Sequence, residues 1–112
     1  DGAGAEITDP KASREEQIRV AENVLASHPA VAEVAVFGLP DDRWGEIVKA
    51  AIVLHAGRTA TAEDIVDFCR DRMANYEKPK SIDFVDELPH GATGKIDKLA
   101  LRRRYLDSLA QP

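Results

Sequence analysis

A chain of 112 residues with a net charge of −5 is one domain with room for one modest core, and its acidic balance argues against a nucleic-acid partner. The single cysteine, Cys69, excludes an internal disulfide framework and suits a reducing cytoplasm. No apolar run approaches the length that crosses a bilayer.

The Gly/Ala-rich start places residues 1–12 as a flexible tail or linker remnant and residues 13–112 as the domain proper. Ser13 and Glu16 form a Ser-x-x-Glu capping box, so a first helix is expected from Ser13. Ile18, Ala21, Val24 and Leu25 fall on one face of it, and His28-Pro29 ends it, because the residue before a proline disfavours the α region. Residues 31–39 are a nearly unbroken apolar run rich in β-branched side chains, hence a buried strand. Pro40, Asp41, Asp42 and Gly45 mark a long loop, residues 38–45. Its acids, with Glu46, lack a complete ligand spacing and read as a solvated turn, so no metal site is expected. Trp44 is expected to anchor this loop by burying its ring.

Residues 47–54 make a second strand, interrupted only by Lys49. Thr61 with Asp64 repeats the capping logic, and Ile65, Phe68, Cys69 and Met73 form the next helix stripe. Cys69 on that stripe is a small core residue, since no partner base is identifiable for a nucleophile. Residues 76–80 are a loop and residues 82–85 a short strand. A last helix over residues 97–106 takes apolar contacts from Ile96, Leu99 and Ala100 and turns Lys98 to solvent. Arg102, Arg103 and Arg104 complement the dipole in its last turn.

The order is therefore α-β-β-α-β-α. The first two strands pair as a hairpin, and the second and third, joined by a helix, form a right-handed parallel crossover. The fold class that follows is α/β in the α+β sense: a small mixed three-stranded sheet covered by helices.

The chemistry concentrates in Leu88-Pro89-His90-Gly91-Ala92-Thr93-Gly94-Lys95. Two glycines let backbone approach a ligand closely, and a lysine after them carries a mobile cation toward a phosphate or carboxylate. This stretch, with Tyr76-Glu77-Lys78-Pro79-Lys80, Phe84-Val85-Asp86-Glu87 and Leu101-Arg102, resembles the C-terminal domain of the AMP-forming acyl- and aryl-CoA synthetases. That superfamily also holds peptide-synthetase adenylation domains and beetle luciferases. Glu22-Asn23-Val24-Leu25, His28-Pro29-Ala30-Val31, Glu33-Val34-Ala35-Val36, Gly38-Leu39-Pro40-Asp41 and Trp44-Gly45-Glu46 extend the similarity over about residues 22–106.

The resemblance implies a compact α/β lid on a large N-terminal adenylation domain, with a carboxylic acid, foremost a fatty acid, as substrate. ATP, CoA and Mg2+ would serve the full-length ligase, and none would be held by this piece, which would be inactive alone. Lys95 matches the lysine that stabilises charge during acyl-adenylate formation, and Thr93 and Gly94 would approach ATP or the adenylate. The lid would then rotate for thioester formation. Two family segments are absent: the hinge motif with its Gly-Arg and Lys-Asp, and the Gly-x-Asn-Ile-x-Pro loop expected before Glu22, where residues 13–20 stand instead. Contacts to CoA are therefore not assigned. The chain ends soon after the last helix with no carrier domain, which favours a CoA ligase over a peptide-synthetase module. The rival is a non-catalytic interaction domain reusing this fold, which would need no Lys95; a Lys95 exposed and mobile at a loop tip rather than salt-bridged to the domain's own acids separates the two readings.

Overall fold

The computed structural model describes residues 10–73 and 79–110. The loop expected at residues 76–80 therefore falls mostly outside the described residues. Three helices and a three-stranded mixed sheet appear in the expected order: α1 (Pro10–Ala26), β1 (Val31–Asp41), β2 (Gly45–Leu54), α2 (Ala62–Arg70), β3 (Ser81–Phe84) and α3 (Lys98–Ala110). The sheet order is β1-β2-β3, with β1 and β2 antiparallel and β2 and β3 parallel.

Alternation along the strands sorts the core. Successive side chains of a strand point to opposite faces of its sheet. Val34 and Val36 of β1 and Val48, Ala50 and Ile52 of β2 face α1 and α2, where Ala21, Leu25, Ile65 and Cys69 complete a buried cluster. Ala35, Phe37 and Leu39 of β1 and Ala51 of β2 face the other way, onto Leu88 and Leu101. Both faces are covered, which is why the strands read as continuous apolar runs. Lys49, the one interruption in β2, lies on the second face. Its ammonium reaches Ser81 Oγ at 3.0 Å and Asp83 Oδ2 at 3.3 Å, and sits over the Tyr105 ring.

Several boundaries differ from expectation, each for a local reason. α1 begins at Pro10 and carries Ser13 inside it. Proline is pre-organised for the first helical position, so the start lies ahead of the expected capping box. The hairpin loop is not long: β1 runs to Asp41, which pairs with Gly45. Asp41 Oδ2 accepts the amides of Arg43 at 3.0 Å and Trp44 at 2.8 Å, and Gly45 takes φ +82°, which closes the turn tightly. Pro40 is tolerated because β1 is an edge strand.

Trp44 does not bury its ring; it is 59% exposed, with Arg43 and Lys80 over the indole. The tip of a tight turn has no core beneath it to receive the ring. Leu99 also fails the expected apolar contact, at 75% exposure. The helix presents Leu101, two positions on, to the sheet instead. α3 continues to Ala110, so the three arginines lie mid-helix rather than in its last turn. Met73 is buried as expected, but just beyond the end of α2, where its amide donates to Cys69 O at 3.0 Å. The capping box of α2 stands as read: Asp64 N–H donates to Thr61 Oγ1, and Thr61 N–H to Asp64 Oδ2.

Candidate functional site

The sheet delivers the Lys95 loop on its second face, between β3 and α3. Leu88, buried in the core on that face, holds the incoming chain, and Ile96 packs against the same cluster on the outgoing side. Between them the backbone folds back on itself. His90 and Ile96 form an antiparallel bridge. Gly91 N–H donates to Lys95 O at 2.7 Å, Gly94 N–H to Gly91 O at 3.0 Å, and Asp97 N–H to Pro89 O at 2.8 Å. Gly94 has φ +88°, the left-handed conformation that closes a short hairpin loop.

This ladder engages the amides of Gly91, Gly94 and Asp97. Thr93, Gly94 and Lys95 are all exposed. Among the described residues no carboxylate pairs with the Lys95 ammonium. Its sequence neighbours are engaged. His90 Nε2 lies 2.7 Å from Glu33 Oε2, and Lys98 Nζ lies 2.5 Å from Glu22 Oε2. The expectation that Lys98 faces solvent without a partner is corrected by that ion pair, made by a Glu22 carboxylate that also accepts the Val36 amide of the edge strand.

Asp97 ends the loop and starts α3. Its Oδ1 accepts Ala100 N–H at 3.0 Å, and its carbonyl accepts Leu101 N–H at 3.1 Å, so it caps the helix rather than opening it. α3 is fixed to the sheet at two further points. Arg102 Nε donates to Gly38 O at 2.8 Å, and the Tyr105 hydroxyl donates to Asp83 Oδ2 at 2.7 Å. Burial of the ring, then the hydrogen bond and the negative charge of Asp83, push the Tyr105 phenol well above its usual range.

Sequence reasoning singled out Lys95, Gly94 and Thr93 and did not foresee the pairs of Glu22 with Lys98 and Glu33 with His90, or the Asp97 cap, that flank them. A signal for Glu33 was present: it is the one charge inside the apolar run of residues 31–39. No group of three or more His, Cys, Asp or Glu among the described residues is placed to hold a metal ion. No helix among them is long and apolar enough to cross a membrane.

Residues 21–95, which include both strands of the hairpin and the Gly94-Lys95 tip, match the family described as AMP-binding enzyme C-terminal domain. The chain belongs to that family. Two curated relatives illustrate its spread. A methyl-dioxo-octahydroindenyl-propanoyl:CoA ligase of Rhodococcus jostii is 47% identical over 72% of this chain and 16% of its own length. An oxalate–CoA ligase of Saccharomyces cerevisiae is 39% identical over 78% of this chain and 16% of its own length. Among solved structures, a fatty acyl CoA synthetase of Mycobacterium tuberculosis superposes with a TM-score of 0.73 at 40% identity. That match covers 80% of this chain and 18% of the other. The chain thus spans about one-sixth of the length of these ligases, and as an AMP-binding enzyme C-terminal domain it corresponds to one part of each.

Proposed function

We propose that this domain is the lid of an AMP-forming acyl- or aryl-CoA ligase and that Lys95 is its catalytic contribution. The observation that carries the reading is the exposed Lys95, unclaimed by any described carboxylate, in a hydrogen-bonded hairpin loop. A cation with no internal partner is available to a ligand outside its own domain. The rival interaction-domain reading needs no Lys95, and a Lys95 salt-bridged to the domain's own acids would have favoured it.

In this reading a carboxylic acid attacks the α-phosphate of ATP, the acyl-adenylate forms and pyrophosphate leaves; the CoA thiol then attacks the acyl carbon and AMP leaves. Negative charge crowds the α-phosphorus and the attacking carboxylate in the first step. A positioned ammonium stabilises that transition state more than the ground state. Lysine suits the role as a compact point charge with three donors on a long stem. Thr93 and the Cβ-free Gly94 would let the loop backbone come close to the nucleotide. ATP, CoA and Mg2+ would be bound chiefly by the large N-terminal adenylation domain, which is also where the acid would be chosen. The spread of relatives, from an oxalate ligase to one named for a fused-ring propanoyl group, supports placing acyl selection outside this domain. Fatty acids are the substrate class proposed first, on the likeness to the fatty acyl CoA synthetase. A cytoplasmic setting is proposed from the chemistry, since ATP and CoA are cytoplasmic substrates.

The test is to measure both half-reactions in the full-length ligase. Lys95→Ala should lower acyl-adenylate formation by about 10²–10³, the usual cost of removing one preorganised electrostatic partner. Thioester formation from preformed acyl-adenylate and CoA should stay near the parental rate. Equal losses in both half-reactions would assign Lys95 to folding or docking, and no loss in either would favour the interaction domain.

A further inference from the structure

We propose that Glu22 and Glu33 are positioning residues for Lys95, holding the two ends of its loop through Lys98 and His90. The proposal rests on the lid reading and adds to it the residues that fix where the cation points. The segment from His90 to Lys98 carries three basic side chains. The outer two are paired with the glutamates, and the middle one, Lys95, is not.

The two anchors are of different kinds. Glu33 lies on β1, on the same side as Ala35 and Phe37 by the two-residue period, which is the face that carries the loop. A register shift between Val31 and Glu33 precedes it. From there its carboxylate meets His90, the residue at the base of the hairpin loop. Glu22 lies on α1, on the opposite face of the sheet. Its Oε2 accepts the amide of Val36 at 2.9 Å, on edge strand β1, and the same oxygen receives Lys98 Nζ. Glu22 thus reaches around the sheet edge and joins α1, β1 and the first residue of α3. The Val36 amide is part of a strand whose side chain is fully buried, so this end of the bracket is fixed to the core.

The charge pattern needs such a bracket. Cations at a helix N-terminus are opposed by the helix dipole. This chain nonetheless places Lys95 just before α3 and Lys98 at its first position. Asp97, the cap, and Glu22 supply the compensating negative charge. Glu22 is occupied by Lys98 and Val36, and Glu33 by His90, so neither captures Lys95. A local rule broken next to a candidate site, with compensation from distant residues, is the pattern of a functional position.

The experiment uses the full-length ligase with Glu22→Gln and Glu33→Gln, singly and together. Glutamine keeps an oxygen for the Val36 amide, so the fold is retained. Adenylate formation by the double variant should fall by about tenfold, less than for outright loss of Lys95, because the cation is misplaced rather than absent. Thioester formation from preformed adenylate should not change. Amide exchange at Gly91 and Asp97, the donors that close the loop, should quicken, with exchange at Ile52 in β2 unchanged. Exchanging the partners, Glu33→Lys with His90→Glu, should return adenylation and the Gly91 exchange rate to within about twofold of the unsubstituted ligase. Unchanged exchange at Gly91 and Asp97 overturns the proposal, as do equal losses in the two half-reactions. Lys95→Ala is run alongside. If it keeps full adenylation, the lid reading falls, while the exchange data still decide whether the glutamates hold the loop.

Discussion

Tyr105 shows how a single side chain ties the last helix to the sheet. Its hydroxyl donates to Asp83, its ring packs beside Phe37 at a centroid distance of 5.5 Å, and Lys49 lies over the ring. Deprotonation would place a second negative charge beside Asp83 in a partly buried site, so the phenol is held above its ordinary value of about 10. The folded pKa is raised, so the folded state holds its proton where the unfolded chain gives it up. The stability tied to that proton is fully present below about pH 10 and is lost as pH rises through the folded value. Denaturant midpoints measured from pH 8 to 12 should therefore fall more steeply in the native chain than in Tyr105→Phe. Phenolate absorbance, taken as the difference from Tyr105→Phe, should show Tyr105 ionising above the ordinary tyrosine range. Parallel midpoint curves for the two proteins would remove Asp83 and burial as the cause.

At the scale of elements, the loop before α3 separates what glycine does from where glycine merely sits. Gly94 has φ +88° with open space around a would-be Cβ, so alanine there meets only backbone strain. Gly91 does not have a positive φ, and a Cβ there would meet Lys95 O at an ordinary 3.8 Å. Gly94→Ala should cost about 1–2 kcal/mol of stability, while Gly91→Ala should stay within about 0.5 kcal/mol. Chemical denaturation of both variants checks the contrast, and equal costs would mean that the loop relaxes out of the left-handed conformation. The elements themselves were largely legible. Thr61 with Asp64 announced α2 because a capping box is a contact within four residues. Ser13 with Glu16 shows the same pattern inside a helix, because Pro10 had already begun it. The hairpin turn was read as too long because its closing contact, the Asp41 carboxylate on two amides, depends on side-chain geometry rather than on composition.

At the scale of the whole molecule, both faces of the sheet are occupied by the domain's own helices and loops, and the proposed catalytic group points away from them. On the proposed reading, this domain would supply a residue to a site completed elsewhere. The chain covers 16% of the length of its ligase relatives, consistent with that division of labour. The 112-residue chain by itself should show no acid-dependent ATP–pyrophosphate exchange. Exchange above background from the purified chain, retained by Lys95→Ala, would place an ATP site within this domain and overturn the lid assignment.

The sequence by itself determined the strands, the helices and the chemical nature of the candidate site. Those depend on periods of two and 3.6 residues and on caps and glycines that act within a turn. It also marked Lys95, since Gly94-Lys95 lies in one stretch with its flanking apolar anchors. Only the tertiary structure decided which charges near Lys95 are engaged. Glu33 and His90 lie 57 positions apart, and they meet because β1 and the loop occupy one face. Glu22 meets Lys98 because β1 is an edge that α1 can reach around. Trp44 and Leu99 stayed exposed for the same reason. An apolar side chain is buried only where the packed molecule has an opposing surface, and neither the hairpin tip nor the outer side of α3 has one.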